Sequence, residues 1–169
     1  GVTWMQPGTI SLYFQTTHGS YNWSIVSQEA FTDITESTPM DISTMLSGQK
    51  SYIKVKVRNN GATTWIKNQN APNLGTNVPH DRNSKFCDAT WISCTRAASM
   101  QEQEVKAGEI ATYKYWIKSP YSSEFFVEHF KLVVEGYSWL NENAMNFSIN
   151  VPSSSLTWQV LAMYAYTDS

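Results

Sequence analysis

The two ends of this chain repeat one sequence pattern at an offset of 135 residues. When residue 1 is placed on residue 136, Trp4 meets Trp139 and Trp23 meets Trp158 without a gap. Residues 30–33 (A-F-T-D) meet residues 165–168 (A-Y-T-D) in the same frame. A fixed period of this kind is typical of tandem arrays. It predicts one complete unit flanked by fragments of two further copies. The alternative is a pair of similar β-hairpins within one domain.

The unit boundaries follow from two linker-like stretches. Residues 151–155 (V-P-S-S-S) and their counterparts at 16–20 (T-T-H-G-S) are rich in residues that favour turns and loops. We therefore expect residues 1–16 to be the last strand of a preceding repeat and residues 17–20 a linker. Residues 21–152 form the complete domain, and residues 153–169 are a linker and the first strand of a following repeat.

Within the unit, the local pattern predicts β-structure throughout. Residues 52–58 alternate apolar and polar side chains, the period of a half-buried strand, and the turn Asn59-Asn60-Gly61 follows. Three further runs predict strands, at 110–117, 125–134 and 144–151. No segment has a sustained helical stripe, and residues 99–105 fit at most one helical turn. Several short strands separated by turns predict an all-β sandwich.

Composition narrows the class of partner. Charged residues are 15% of the chain against roughly 25% in soluble domains, and the formal net charge is −2. A nucleic-acid binder would carry a basic face instead. No apolar run approaches the ~20 residues of a membrane span. We expect neither nucleic acid nor a membrane-spanning helix in this segment.

Residues 55–65 (V-K-V-R-N-N-G-A-T-T-W) resemble the strand and turn of four-tryptophan immunoglobulin-like domains, the NBR-type central domain. Residues 105–109 (V-K-A-G-E) resemble that family's V-x-P-G-E turn, with Ala107 in place of the proline. A bacterial surface version is more similar still. In that version, segments similar to residues 73–76, 80–82 and 86–91 form an insertion between the two halves of the domain. The resemblance therefore implies an inserted loop at about 66–104.

The resemblance implies an immunoglobulin-like sandwich in an extracellular or cell-surface setting, with no catalytic residues and no cofactor. We expect a non-enzymatic structural repeat of a fibre or adhesin that assembles head to tail with neighbouring copies. Those copies are joined covalently or by strand donation. The strands between repeats carry alternating apolar residues, namely Ile10, Leu12, Phe14, Trp158 and Val160.

Cys87 and Cys94 are the two cysteines of the chain. An even count outside the cytosol favours a disulfide, which would close a short loop around Trp91. Two buried free thiols are the alternative. A metal site is disfavoured because the spacing is not CxxC and no second pair exists.

Charged residues of the predicted insertion suggest how it is held. Asp81 and Arg82 are expected to tie it to the sandwich through charge-assisted hydrogen bonds.

Glu128 shares the parity of Phe126 and Phe130 and would point inward, where a carboxylate requires a partner. An edge position or a bulge that turns Glu128 outward is the favoured interpretation, and a glycosidase acid is the other.

The tryptophans separate into two groups. Trp23, Trp116 and Trp139 fall in predicted strands and are expected in the core. Trp65 and Trp91 border loops, where the favoured role is to anchor the insertion. The alternative function, a glycan-binding surface module, would use Trp65 and Trp91 as an exposed platform for sugar rings. Surface glycans are then the second class of partner.

Overall fold

A computed structural model describes residues 20–140 and 144–153, and within them the chain is all-β. The strands are β1 Trp23–Phe31, β2 Lys50–Asn59, β3 Trp65–Ile66, β4 Asn73–Thr76, β5 Arg96–Ser99, β6 Glu104–Val105, β7 Ile110–Lys118, β8 Phe125–Val134, β9 Ser138–Trp139 and β10 Met145–Asn150. The all-β prediction is confirmed. This part of the chain contains no helix that is long and apolar enough to cross a membrane.

Two antiparallel sheets form the layers of the sandwich. One sheet has the order β1-β2-β7, and the other has the order β10-β8-β4-β5 with β9 beside β8. Strands β3 and β6 form a separate two-stranded ribbon. Alternation in β2 explains the layering, because Ile53, Val55 and Val57 are fully buried while the residues between them face outward.

One hydrophobic core lies between the sheets. Its largest fully buried side chains are Trp23, Trp65, Tyr113, Tyr115, Phe86 and Phe130. The Tyr113 hydroxyl donates to the Pro72 carbonyl at 2.8 Å, which satisfies that polar group inside the core. Phe86 comes from the predicted insertion, so this segment contributes to the core.

The predicted insertion is partly sheet. Strands β4 and β5 lie within residues 66–104 and belong to the second sheet. Residues 77–95, between β4 and β5, run without a named strand, and we call them the insertion loop. Their sequence has no alternating pattern that would predict a strand.

Two tryptophans assigned to the core lie elsewhere. Trp116 takes an outward position in β7 because Tyr115 and Ile117 take the inward ones, and its ring packs against Tyr52 at 5.2 Å. Trp139 is half-buried and stacks on His80, with ring centroids 4.1 Å apart. The prediction is right for Trp23, which is fully buried.

The polypeptide enters the sandwich at one end and leaves it at the other. β1 begins beside the end of β2, where Trp23 faces Asn59. β10 ends beside the start of β8, where Asn150 faces Phe125. β2 starts beside the end of β7, and Met45, shortly before β2, donates to the Asn150 carbonyl at the end of β10. The end of β10 therefore lies near the start of β2, which is the opposite end from the start of β1. We call these ends the upstream pole (residues 20–22 and 60–62) and the downstream pole (residues 44–45, 124 and 150–153).

The upstream pole fixes the direction of the incoming chain. Ala62 donates its amide to the Ser20 carbonyl at 3.0 Å, and Asn60 donates to the Asn22 carbonyl at 2.9 Å. A Cβ on Gly61 would lie 2.0 Å from the Ser20 carbonyl oxygen, so this close approach requires glycine. Residues 20–22 thus continue the line of β1 past the end of β2.

The predicted flanking strands lie outside the described residues. This applies to residues 1–16 and 156–169, with Ile10, Leu12, Phe14, Trp158 and Val160. Their assignment to neighbouring repeats stays a prediction.

Candidate functional site

The insertion loop is tied to the sandwich by the charged residues expected to do so. The Arg82 guanidinium donates to both carboxylate oxygens of Glu128 in β8, at 3.1 and 2.8 Å. Its Nε donates to the Asn77 carbonyl at 3.0 Å. Asp81 forms an ion pair with Arg96 of β5. The bidentate pairing of Arg82 with Glu128 fixes both the position and the orientation of the guanidinium.

Glu128 points into the protein, and the expectation of an edge or bulge position is wrong. β8 lies between β10 and β4, and its register with β10 is unbroken, so its inward parity is kept. Glu128 is only 4% exposed, and Ser84 Oγ donates to Oε2 at 2.8 Å in addition to Arg82. This carboxylate has its partners within the protein, and its chemistry is that of a structural anchor.

Cys87 and Cys94 form a disulfide, as predicted, with Cα atoms 5.1 Å apart. The loop that it closes carries Trp91 into the core. The Trp91 indole N–H donates to the Trp116 carbonyl, and its ring meets Tyr115 and Phe130 edge-on at 5.8 Å. Trp91 is therefore an anchor of the insertion loop.

Asp88 anchors the same loop to the first sheet. Its Oδ2 lies 2.6 Å from Lys50 Nζ of β2, and its Oδ1 accepts the Thr90 amide at 3.1 Å. Burial raises the pKa of Asp88, but hydrogen bonds from Lys50 and Thr90 outweigh it, so the pKa lies below its ordinary value. The ionised carboxylate is thus the stable form in the fold.

The glycan platform proposed at Trp65 and Trp91 is not supported by their positions. Trp65 is 0% exposed and Trp91 is 7% exposed, so neither ring presents a face to a sugar. Both fill the core, Trp65 from β3 beside Val105 and Trp91 from the insertion loop. A polar cavity of about 230 Å³ lies nearby, and no aromatic side chain lines it; its lining residues are Lys67, Asn68, Gln69, Ala71, Asn73, Ser99 and Glu135.

A further ion-pair cluster lies on the outer face of the first sheet. Glu36 lies 2.5 Å from both Lys54 and Lys114 on the outer face of the first sheet. Hydrogen bonds from Lys114 and then Lys54 lower the pKa of Glu36. Nothing in the sequence had indicated this cluster. The described ranges hold no group of three or more His, Cys, Asp or Glu side chains placed to bind a metal ion.

An open groove separates the free edges of the two sheets, and we call it the seam. It has a volume of about 290 Å³. β1 provides one wall and β10 provides the other. The connection between β1 and β2 closes one end of the groove. The lining residues are Gln28, Glu29, Ala30, Met40, Asp41, Ile42, Asn146 and Phe147. Four of these, Ala30, Met40, Ile42 and Phe147, are partly buried apolar residues that pack against the core.

Comparison with known proteins adds no relative. No protein-family model matches the chain, and a search of curated proteins finds no significant match. The site must therefore be interpreted from its own geometry.

Proposed function

We propose that this chain is a non-enzymatic structural repeat of an extracellular or cell-surface fibre or adhesin, in which copies follow one another head to tail. The observation that carries the proposal is the placement of the two poles. A chain that enters at one end of a sandwich and leaves at the other suits a linear string of domains.

Pole geometry agrees with the internal repeat. Residues 20–22 extend β1 away from the sandwich, and Val151 donates to the Glu124 carbonyl at 2.9 Å at the far end. A nine-residue strand such as β1 spans roughly 30 Å, so successive copies would add about that length along one axis. Neighbouring copies are joined covalently or by strand donation.

Two further observations support the cell-surface setting and the family. The Cys87–Cys94 disulfide suits an oxidising compartment. The strand orders β1-β2-β7 and β10-β8-β4-β5 suit an immunoglobulin-like topology, in which first and second strands share one sheet and the last two share the other. The four-tryptophan immunoglobulin-like family is our proposed assignment.

A structural role also accounts for the polar residues that would otherwise suggest catalysis. Glu128, Asp88 and Glu36 are each held by protein cations. A catalytic carboxylate needs contact with a substrate in a cleft. These three carboxylates hold segments of the fold together instead.

Small-angle X-ray scattering of concatenated units tests the linear arrangement. One, two and three copies of residues 21–155, fused directly at the period of the repeat, are compared. We expect the maximum dimension to grow by a constant increment of roughly 30 Å per copy. Growth with the cube root of mass would mean compact packing and would contradict the proposal.

The mass of the native polypeptide separates the two ways of joining copies. A covalent array predicts a chain several times longer than one unit. Strand donation predicts subunits near the size of this chain that associate without covalent links. Long assemblies are expected under the electron microscope in both cases, and isolated globular particles under native conditions would count against a fibre.

A further inference from the structure

We propose that the seam is a strand-addition site, and that its occupant is residues 9–16 of a second copy of this chain. The inference rests on the proposed function, because it names the surface through which copies assemble. Strand addition supplies backbone hydrogen bonds for affinity and side-chain pockets for specificity.

The β10 edge offers unpaired backbone groups to such a strand. Asn150 donates to the Ser43 carbonyl at 2.8 Å and accepts from Met45 at 2.9 Å, so its backbone faces away from β8. Because alternate residues of a strand face the same side, the N–H and C=O groups of Asn146 and Ser148 face that side too. β8 is the only full-length neighbour of β10 in the described ranges, so these four groups have no backbone partner among the described residues.

The β1 edge forms the opposite wall and is open over a shorter length. Met40 donates to the Ala30 carbonyl at 2.8 Å, which covers the end of β1. Gln28 lies two residues before Ala30, so its backbone N–H and C=O also face away from β2. A bulge between Ile25 and Ser27 interrupts the ladder further up and protects that part of the edge. The longer and more regular opening is therefore the one on β10.

The seam requires one apolar face and one polar face from its occupant. Its floor consists of Ala30, Met40, Ile42 and Phe147, with the Phe147 ring edge-on to the core residue Phe130 at 6.0 Å. Its rim is polar, and the opposite side of an inserted strand would face water. A strand with strict alternation meets this requirement.

Residues 9–16 (T-I-S-L-Y-F-Q-T) have the required pattern. Ile10, Leu12 and Phe14 share one face, and polar or amphipathic side chains share the other. Residues 1–17 include no Asp, Glu, Lys or Arg. The carboxylates of Glu29 and Asp41 at the seam therefore meet no like charge, and the insertion buries no charge from the arm.

Insertion between copies is favoured over insertion within one copy. The Ser20 and Asn22 carbonyls are held by Ala62 and Asn60 at the upstream pole, beyond the start of β1, whereas the seam is lined by residues 28–30 near the end of β1. A contact between an arm and a seam joins two different surfaces. Repetition of such a contact builds an open fibre.

The test compares single variants of the full 169-residue chain by sedimentation velocity over a wide concentration range. Ser148→Pro removes an outward N–H from the edge strand, a position where proline is tolerated, and Leu12→Asp places a charge in the apolar face of the arm. We expect the unmodified chain to form open-ended oligomers and each variant to lower the association constant about tenfold or more. Ser148→Thr keeps the N–H and is the matched control, expected to associate normally.

Mixing the two variants provides the sharpest outcome. Leu12→Asp keeps an intact seam and Ser148→Pro keeps an intact arm, so an equimolar mixture should form a one-to-one heterodimer and stop there. A mixture that stays monomeric, or variants that associate as the unmodified chain does, would overturn the inference. So would an unmodified chain that remains monomeric at every concentration, with its arm protected within one copy.

Hydrogen exchange gives a readout without a variant that could misfold. The amides of Asn146 and Ser148 should exchange slowly in concentrated protein and quickly on dilution. Equal exchange at both concentrations would contradict insertion between copies. The scattering of concatenated units does not depend on the seam. If the seam tests fail, the head-to-tail arrangement can still hold. If the scattering test fails, binding at the seam can still be measured.

Discussion

The β1-β2-β7 sheet and the insertion loop pack against one core, but they are specified in different ways. In β2 every second residue is buried, and the pattern alone places Ile53, Val55 and Val57 inside. The insertion loop has no period. Its position depends on a few partners distant in sequence, such as Glu128 for Arg82, 46 residues away, and Trp116 for Trp91, 25 residues away.

This contrast predicts different responses to substitution. A sheet distributes its stability over many similar contacts, and a loop with few anchors concentrates it. Loss of one buried anchor should therefore release the insertion loop at a high cost. Loss of an exposed contact should cost little in either region.

Glu128→Ala should have the largest effect, a loss of about 3 kcal/mol in the free energy of unfolding. The substitution leaves the Arg82 guanidinium mostly buried without its carboxylate, since the Arg82 side chain is 19% exposed. Urea unfolding at neutral pH measures it. Glu124→Ala is the matched control, because that exposed residue pairs with Lys85 at the surface, and it should cost less than about 0.5 kcal/mol.

A double variant separates the pair from its packing. Arg82→Met with Glu128→Leu replaces both charges by apolar groups and should recover most of the stability lost by Glu128→Ala, since no unpaired charge remains. Equal costs for Glu128→Ala and Glu124→Ala would mean that the buried pair does not anchor the loop.

Removal of the disulfide should have the next largest effect. Cys87→Ser with Cys94→Ser frees a short loop and should lower the free energy of unfolding by roughly 2–2.5 kcal/mol on the chain-entropy account. We expect faster hydrogen exchange within residues 77–95 and unchanged exchange in β2. If both thiols react with an alkylating agent in the native, non-reduced protein, the disulfide assignment is wrong.

Sequence predicted the regular part of the molecule well. The strands β2, β7, β8 and β10 were expected at nearly their observed positions, because alternation and turn residues report burial on a sheet face. The short strands β3 to β6 were not expected. Two- to four-residue strands carry too little pattern, and their pairing depends on neighbours supplied by the rest of the fold.

The candidate site was predicted only in part. The roles of Arg82 and of the cysteines follow from residue chemistry. Glu128 keeps its inward parity because Arg82 offsets the cost of burying the carboxylate, and nothing in the sequence identifies Arg82 as the partner. The seam was also missed. It arises where the edges of two sheets meet the connection through Met40 and Ile42, a juxtaposition with no local signal.

Glu36→Gln tests an ion-pair cluster on the outer face of the first sheet and should cost about 1 kcal/mol at neutral pH, because Glu36 pairs with both Lys54 and Lys114. The folded state lowers the pKa of Glu36 below its ordinary value of 4.5. Its contribution is therefore present above about pH 4.5 and is lost as the pH falls through the folded-state pKa. Unfolding measured across this range should be less pH-dependent in the variant.

A matched substitution nearby provides the control for that pH dependence. Glu29→Gln alters a carboxylate that lies 3.9 Å from Lys54 and is 44% exposed. Its effect should be close to zero. If Glu29→Gln flattened the acid profile as much as Glu36→Gln, the two-lysine cluster would not be the source of the dependence.

Apart from the control substitutions, His80→Ala should have the smallest effect, about 0.5 kcal/mol, although His80 belongs to the insertion loop. Its ring stacks on Trp139 at 4.1 Å but lies at the surface, and the Arg96 guanidinium remains 5.3 Å from the same indole after the substitution. The Trp139 indole N–H resonance should move while the urea midpoint changes little. A cost approaching that of the disulfide would show that exposed stacking also holds the loop, and stability would then not be concentrated in the buried anchors.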